Sequence, residues 1–463
     1  MRILLTRPWN HTSMLIPNHG LGYLATALKQ SGHDPVILDC ILQRMDPDAF
    51  NRLVRSSSFD AIGFQLYTFD LPQFNSYLSL IRDLTIPLIA GGPHPSAVPL
   101  DFMNDYTRID YAFRGEAEIG LPMLLDVLAS PALASTAILE SIPGLCFRHE
   151  RRVQSNPPVF HQTLDDFGMP DWEQISPLTY PVAPQGTFTR ALPVAPITIT
   201  RGCPYPCTFC AGKQVSGRRI RTRSVSHVIH ELRFLVEHFG IREFHIQDDN
   251  FTFDKQYVLA FCRALIDSRL NLVWACPNGI RLDSLDRDML DAMSAAGCYS
   301  VAVGIESGSQ RILNLMKKRT SLPDLIDRVN LIRKATNWRI TGFFILGYPG
   351  ETREEMEATI RLSRRLPLDK ANFGILMPLP ATEATQAAIE MGWNASMDYD
   401  RMSEYRSTFY PEGMTARDFR MLFRRAFIGF YCRPRIMAGF LREIKSRDQF
   451  KVLIRRFLDV VRS

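Results

Sequence analysis

The sequence predicts an α/β protein: an N-terminal doubly wound parallel sheet, then a partial (β/α)6 barrel, then a helical C-terminal region. Three observations predict it. Five short β-rich apolar runs alternate with helix-like segments over residues 1–140. After a Pro-rich stretch, six more such runs follow from "PITITRGC" onward, each ending in polar or Gly-rich residues. Near the end, Phe419, Leu422, Phe423, Ala426 and Phe427 recur at helical spacing. A chain of 463 residues is too long for one ordinary hydrophobic core. The expected domains are 1–140, a hairpin and Pro-rich connector at 141–194, a barrel at 195–394 and a basic helical region at 395–463.

The first five runs are "MRILLTRP", "DPVILDC", "FDAIGFQLY", "IPLIAGGPHP" and "IDYAFRGEAE", spaced by segments such as "GLGYLATALKQSG". Alternation of this kind builds a parallel sheet, whose ligand sits beyond the strand carboxyl ends. The loops there carry Pro8, Gln65, Leu66, Tyr67, Gly91, Gly92, His94 and Arg114 to Glu116. A nucleotide, a flavin or a corrinoid could occupy them. No G-x-G-x-x-G follows the first strand, so a dinucleotide is disfavoured. Residues 141–194 are Pro-rich with brief alternating runs, which reads as a hairpin plus an extended connector at a domain boundary.

The second series comprises "PITITRGC", "FHIQDDN", "LVWACPNGIR", "YSVAVGIESG", "RITGFFILGYPGE" and "ANFGILMPLP", with helical segments such as "SVSHVIHELRFLVEHFG" between them. In such a barrel the active-site groups collect at the strand carboxyl ends.

Composition narrows the class. Hydrophobic residues make up 46% and charged residues 22%, and no apolar run approaches the roughly 18–20 residues that cross a bilayer. The N-terminus lacks a signal-peptide core, so a cytoplasmic location is expected. Nine cysteines without regular spacing outside one cluster argue for metal binding over a disulfide framework. Residues 401–463 hold fifteen Lys/Arg against six Asp/Glu. That surplus reads as a solvated helical face, or as a contact with an anionic substrate or a membrane surface; no recognised nucleic-acid module accompanies it.

The cluster is "RGCPYPCTFCAG", with Cys203, Cys207 and Cys210 spaced C-x3-C-x2-C. A cubane iron–sulfur cluster takes one thiolate per iron, so three cysteines leave one iron open and reactive. The alternative is a structural zinc completed by a distant ligand, in a binding module rather than an enzyme. Zinc motifs are built from C-x2-C pairs, and no second pair exists here; Cys262, Cys276 and Cys298 stand alone.

In this loop the sequence resembles the radical S-adenosylmethionine superfamily. The resemblance implies that a 4Fe-4S cluster chelates S-adenosylmethionine and, with an electron from a flavodoxin- or ferredoxin-type donor, cleaves it to a 5′-deoxyadenosyl radical. It further implies that Phe209 contacts adenine, that Glu306 in "GIESGS" binds the adenosyl or amino acid part, and that Gly347, Pro349 and Gly350 in "GYPGET" approach the adenine. Asp248 and Asp249 in "QDDNF" replace a Gly-Gly-Glu motif that contacts the ammonium, and Arg281 in "NGIRLD" falls within reach of the methionyl carboxylate. "LPATEA" resembles a Pro-Gly-Thr turn with Ala381 for Gly, which predicts an ordinary φ there.

The opening segment, "GGPHPSAVP" and "LDDFGMPDW" resemble the cobalamin-binding subgroup, similar to the class B methylases. In that subgroup Gln65, Leu66, Tyr67, Gly91, Gly92 and His94 would border the corrinoid. The implied reaction is methylation at an unactivated carbon or similar centre, using one S-adenosylmethionine to methylate cobalt and a second to make the radical. Two alternatives keep the radical chemistry: a cobalamin-binding cyclase or rearrangement enzyme without methyl transfer, and a tRNA methylthiotransferase. The last needs a second cysteine triad upstream, where only Cys40 and Cys146 occur.

Overall fold

The computed structural model describes residues 1–10, 15–130, 135–180, 189–393, 409–411 and 413–443. It divides into two compact units. One comprises Met1–Tyr180, Arg201–Pro204 and Ala211–Arg223; the other comprises Pro181–Thr200, Tyr205–Cys210 and Ser224–Ser463.

In the first unit, β1 (Arg2–Arg7), β2 (Asp34–Asp39), β3 (Ala61–Gln65), β4 (Leu88–Gly91) and β5 (Tyr111–Phe113) are parallel. A hairpin of β6 (Leu145–His149) and β7 (Arg152–Ser155) extends the sheet antiparallel, giving the order β2-β1-β3-β4-β5-β6-β7. Strand residues alternate between two cores: Leu4, Ile62 and Phe64 enter one, Ile3, Leu5 and Ala61 the other. Helices therefore cover both faces, as a doubly wound sheet requires. The strand order reverses between β1 and β3, which marks the switch-point crevice at their carboxyl ends.

The expected connector proves to be part of this unit as far as Tyr180. The hairpin pairs with β5, and Leu164 and Phe167 pack on Tyr23. Gly22 of the helix His19–Gln30 lies so close to Pro170 and Ile175 that a Cβ would come within 2.8 Å of both. Proline and glycine there signalled irregular backbone, not independence, because the apolar residues between them are buried against the first domain.

In the second unit, β8 (Val194–Ile197), β9 (Glu243–Ile246), β10 (Val273–Ile280), β11 (Cys298–Glu306), β12 (Arg339–Leu346) and β13 (Lys370–Ile375) are the six expected strands. They pair in parallel and in chain order, with crossover helices between them. This is the order of a partial β/α barrel. The helix Ala416–Tyr431 buries Phe419, Leu422, Phe423, Ala426 and Phe430. Phe427, expected in that stripe, is only half-buried: it sits one position off the i, i+3, i+4, i+7, i+11 row. The distal basic stretch "FKVLIRRFLDVVRS" lies outside the described residues. Among those described, no helix is long and apolar enough to cross a membrane.

Candidate functional site

The cysteine loop follows β8, where the chain leaves the carboxyl end of its strand. Asp248, just beyond β9, is the clamp that starts it: the backbone N–H groups of Ile199 and Thr200 donate to its two carboxylate oxygens, each at 2.8 Å. Asp248 is buried, and that burial pushes its carboxyl up to about 7. Its oxygens are thus committed to the backbone, and the neighbouring Asp249 is the exposed one of the pair. Sequence similarity pointed Asp248 at the ligand; the structure turns it toward the loop that carries the cysteines.

Thr208 pins the middle of that loop. Its N–H donates to Met316 O, its carbonyl accepts from Ala384 N–H, and its hydroxyl lies 2.6 Å from Tyr348 Oη. Phe209, partly buried, packs at the edge of an apolar cluster that includes Met316, Tyr348 and Leu376. Cys203 and Cys207 are partly exposed and Cys210 is exposed, whereas Cys40, Cys146, Cys262, Cys276 and Cys298 are buried. Burial pushes the Cys40 and Cys262 thiols up to about 12, so those two are inert apolar filling. Among the described residues, no three His, Cys, Asp or Glu converge as a mononuclear site needs. A cube, which sets each thiolate on a separate iron, makes no such demand.

At the ends of β11 and β12, two turns face the same ligand region by sequence similarity and are tied by Glu355. Ser309, after "GIES", donates to Glu355 Oε1 at 2.7 Å, and Arg311 Nε donates to the same oxygen at 2.9 Å. Glu355 also closes a capping box with Thr352 at the start of the helix Arg353–Arg365. These bonds, the Arg311 pair first, pull its carboxyl down to about 2. Glu306 carries φ +64°, a left-handed conformation costing an L residue roughly 1–2 kcal/mol, and Lys318 Nζ lies 2.6 Å from its Oε1.

The "GYPGET" turn is built by Glu351. Gly347 N–H and Tyr348 N–H donate to Glu351 Oε2 at 2.8 and 3.0 Å, and burial pushes this carboxyl up to about 8. Gly347 and Gly350 take φ +82° and +77°, while Pro349 is buried. A Cβ on Gly347 would meet the Phe419 ring at 2.9 Å, so that glycine serves helix packing as well as the turn. Ala381 has φ +58°, contrary to the ordinary value expected of a non-glycine. Leu379 O, accepting from both Thr382 and Thr385 hydroxyls, dictates that turn.

Arg281 is salt-bridged to Asp283 at 2.8 Å and stacked on Tyr205, its guanidinium carbon 3.5 Å from the ring centroid. It also donates to Lys318 O at 2.9 Å.

In the first unit, Arg7 and Asn10 both bond Asp70, and Tyr67 N–H donates to the same carboxylate at 3.0 Å. Arg7 lies over the Tyr67 ring at 4.4 Å. Gln65 Oε1 accepts from Asn18 at 2.6 Å. Gly91 is open, a Cβ there meeting only Phe113 Cβ at 3.9 Å, whereas Gly92, at φ +97°, would strike Leu66 N at 2.9 Å. Two of the expected contacts, Leu66 and His94, are buried. Leu66 is buried, its N–H given to Gly91 O and its carbonyl taken by His94 N–H. His94 is buried too, 3.1 Å from Thr68 Oγ1 and edge-on to Phe102, because the helix Pro93–Ala97 begins at once and turns it inward. Burial lowers its pKa to about 4.

Residues 197–363 match the radical SAM superfamily, and residues 11–125 match the B12 binding domain. The chain is a radical SAM enzyme with a B12-binding domain. An uncharacterized methyltransferase of Pyrococcus horikoshii is 28% identical over 447 residues, with 94% of each chain covered. The cytidylyl-2-hydroxyethylphosphonate methyltransferase of Streptomyces wedmorensis is 27% identical, covering 85% of this chain and 81% of that one. In fold, the enzyme is similar to the radical S-adenosylmethionine methyltransferase TsrM from Kitasatospora setae. The TM-score is 0.67 at 21% identity, over 84% of this chain and 75% of that chain.

Several residues of the radical SAM enzyme were not visible as site residues in its sequence. Arg201 and Arg221, which flank the cysteine loop, belong to the first unit and are held there by Glu116 and Glu118: Arg201 to Glu118 and Arg221 to Glu116, each at 2.7 Å. Thr208, Asp283, Lys318, Tyr348 and Glu351 likewise gain meaning only through their partners. "RGEAE" had signalled a strand-end loop, without naming what its carboxylates hold.

Proposed function

We propose that the enzyme is a cobalamin-dependent methyltransferase acting on an unactivated carbon, or a similar centre, of a small-molecule or lipid-like substrate. The observation that carries this reading is the presence, in one chain, of a B12-binding domain and a C-x3-C-x2-C loop at the carboxyl end of the first barrel strand. The names of the Pyrococcus and Streptomyces relatives support methyl transfer.

The residues fit the implied groups. Three thiols in one loop, two partly exposed and one exposed, suit a cluster with one free iron, and Cys203, Cys207 and Cys210 would hold it. Glu306 Oε2 has no partner among the described residues and can accept from S-adenosylmethionine. Phe209, partly buried at the edge of an apolar cluster, suits the adenine, and Gly347, Pro349 and Gly350 shape the turn after β12. Arg281, held by Asp283 and Tyr205, keeps a fixed cation for the methionyl carboxylate. In the first unit, Gly91 leaves a lane for a flat ring, and Gln65 and Tyr67 border it on the β3 loop. His94 is buried beside Thr68 Oγ1, which speaks against its imidazole as a cobalt ligand.

When bound, the cluster supplies the electron for reductive cleavage and the corrinoid supplies a methyl carrier. The chain's own work is to hold, orient and shield. Asp248 and Thr208 fix the cysteine loop, Glu355 locks the two ligand-facing turns together, and no residue need act as a general acid or base. A flavodoxin- or ferredoxin-type protein would deliver the electron.

The test is anaerobic reconstitution with iron, sulfide and hydroxocobalamin, followed by turnover with labelled S-adenosylmethionine and a reductant. The expected products are 5′-deoxyadenosine and S-adenosylhomocysteine together. Deoxyadenosine without S-adenosylhomocysteine would favour a ring-forming or rearranging enzyme. C203S, C207S or C210S protein that keeps its iron and still cleaves the donor would end the radical reading.

A further inference from the structure

Lys318 is not part of any motif that pointed to the site, yet it touches two residues that are. Its ammonium lies 2.6 Å from Glu306 Oε1, with both side chains almost wholly buried, 12% and 8% exposed. Its carbonyl accepts from Arg281 at 2.9 Å. Glu306 stands at a bulge at the end of β11, where Gly304 pairs with Phe343 and Glu306 with Phe344, leaving Ile305 as the extra residue. A bulge re-aims a side chain, and this one does so with Glu306 in the left-handed region. Lys318 is itself flanked by two left-handed residues, Lys317 at φ +50° and Arg319 at φ +55°. Three such non-glycine positions around one ion pair are costly backbone, and strain of this kind collects at ligand clamps.

Gly304 makes the arrangement possible. A Cβ there would stand 2.6 Å from Lys318 Nζ and closer still to Glu306 Oε1, so a side chain would force one of these two groups to move. The second carboxylate oxygen, Oε2, has no partner among the described residues. One oxygen is therefore held and the other is offered.

We propose that Lys318 is a positioning residue for the donor site: by holding Glu306 Oε1 at the bulge, it presents Oε2 to an N–H or O–H group of S-adenosylmethionine. This rests on the assignment of Glu306 to the donor made under Proposed function. A buried carboxylate stripped of its cation is unpaired, and it rotates toward other donors. Arginine at the same place keeps the charge and reaches the same oxygen, whereas methionine keeps only the packing.

Anaerobically reconstituted K318M, K318R, E306Q and the E306Q/K318M double variant test it. The readouts are the Kd for S-adenosylmethionine by equilibrium dialysis and the change this ligand causes in the electron paramagnetic resonance spectrum of the reduced cluster. K318M is expected to weaken binding about tenfold and to blunt the spectral change, at unchanged iron content. K318R should return to within about threefold of the native protein. E306Q should lose a similar amount, and the double variant should be no weaker than E306Q alone, since both changes remove one function. Native affinity in K318M beside weak binding in E306Q overturns the inference, as do losses that add in the double variant. Native affinity in E306Q overturns the assignment of Glu306 itself, and the role of Lys318 falls with it. Should K318M fail to load iron, E306Q against the double variant, which leaves no unpaired buried charge, decides the same question.

Discussion

Asp248 shows how far a single residue's role depends on its hydrogen bonds. With two backbone N–H groups on its two oxygens, an asparagine can serve only one of them and turns its own NH2 against the other. D248N should therefore cost about 1–3 kcal/mol in a thermal or urea melt and lower iron uptake, through the loop that its carboxylate holds. Glu351 gives a prediction with a sign. Its folded pKa of about 8 exceeds the ordinary carboxylate value, so between roughly pH 4.5 and 8 the folded state holds a proton that the unfolded state has lost. Its contribution is fully present below that window and is lost as pH rises through 8. E351Q, which imitates the protonated acid, should melt at a less pH-dependent temperature over pH 6–9 and should gain on the native protein toward pH 8. A steeper fall in E351Q would contradict this. Ala381, exposed at φ +58°, should accept glycine with a gain of about 0.5–1 kcal/mol, read from the shift in melting midpoint.

At the scale of elements, the strand ends are where backbone freedom and function meet. The turn after β4 contains two glycines with different duties. Gly92 satisfies the chain, since its φ of +97° and its closeness to Leu66 N exclude a side chain, while Gly91 has space above it. G92A should therefore lower stability by roughly 1–3 kcal/mol, as strain at a special backbone conformation does. G91A should melt like the native protein and fail to take up hydroxocobalamin, measured by the visible spectrum after desalting. Full corrinoid loading in G91A would remove this turn from the binding surface. The turns after β11 and β12 are coupled by Glu355, and the cysteine loop is coupled to the second of them through Thr208 and Tyr348. Packing on helix Ala416–Tyr431 extends the chain of support, because Phe419 fills the space beside Gly347.

At the scale of the molecule, each unit has its own apolar core, and the cysteine loop adds only the partly buried Phe209 to the edge of the second unit's cluster. Cores of this size are expected to fold without metal, unlike a small zinc module, which is unfolded without its ion. Chelated, iron-free protein should keep its far-UV circular dichroism and a cooperative melt within a few degrees of the reconstituted form. Collapse of the fold on chelation would favour a structural metal. The formal charge of +6 arises in the terminal region, fifteen Lys/Arg against six Asp/Glu after residue 400. Its described portion contains two helices, Ala416–Tyr431, whose apolar side is buried, and Pro434–Glu443.

The sequence by itself carried the two sheets and their eleven parallel strands, because hydrophobic periodicity is a local property of the chain, and the family came from a resemblance in the cysteine loop and the strand-end motifs. The sequence also located the strand ends at which the proposed site residues lie. Only the tertiary structure decided what those residues face. Asp248 and His94 look alike in the sequence, polar residues at strand ends, yet both are buried against partners, since a side chain's direction is set by the elements packed around it. Lys318 showed the reverse: nothing in "LMKKRTS" marks it, and it becomes significant when the β11 bulge carries Glu306 to it. Hydrogen bonds between residues far apart in the chain do not appear in any local pattern, and those bonds assign the roles.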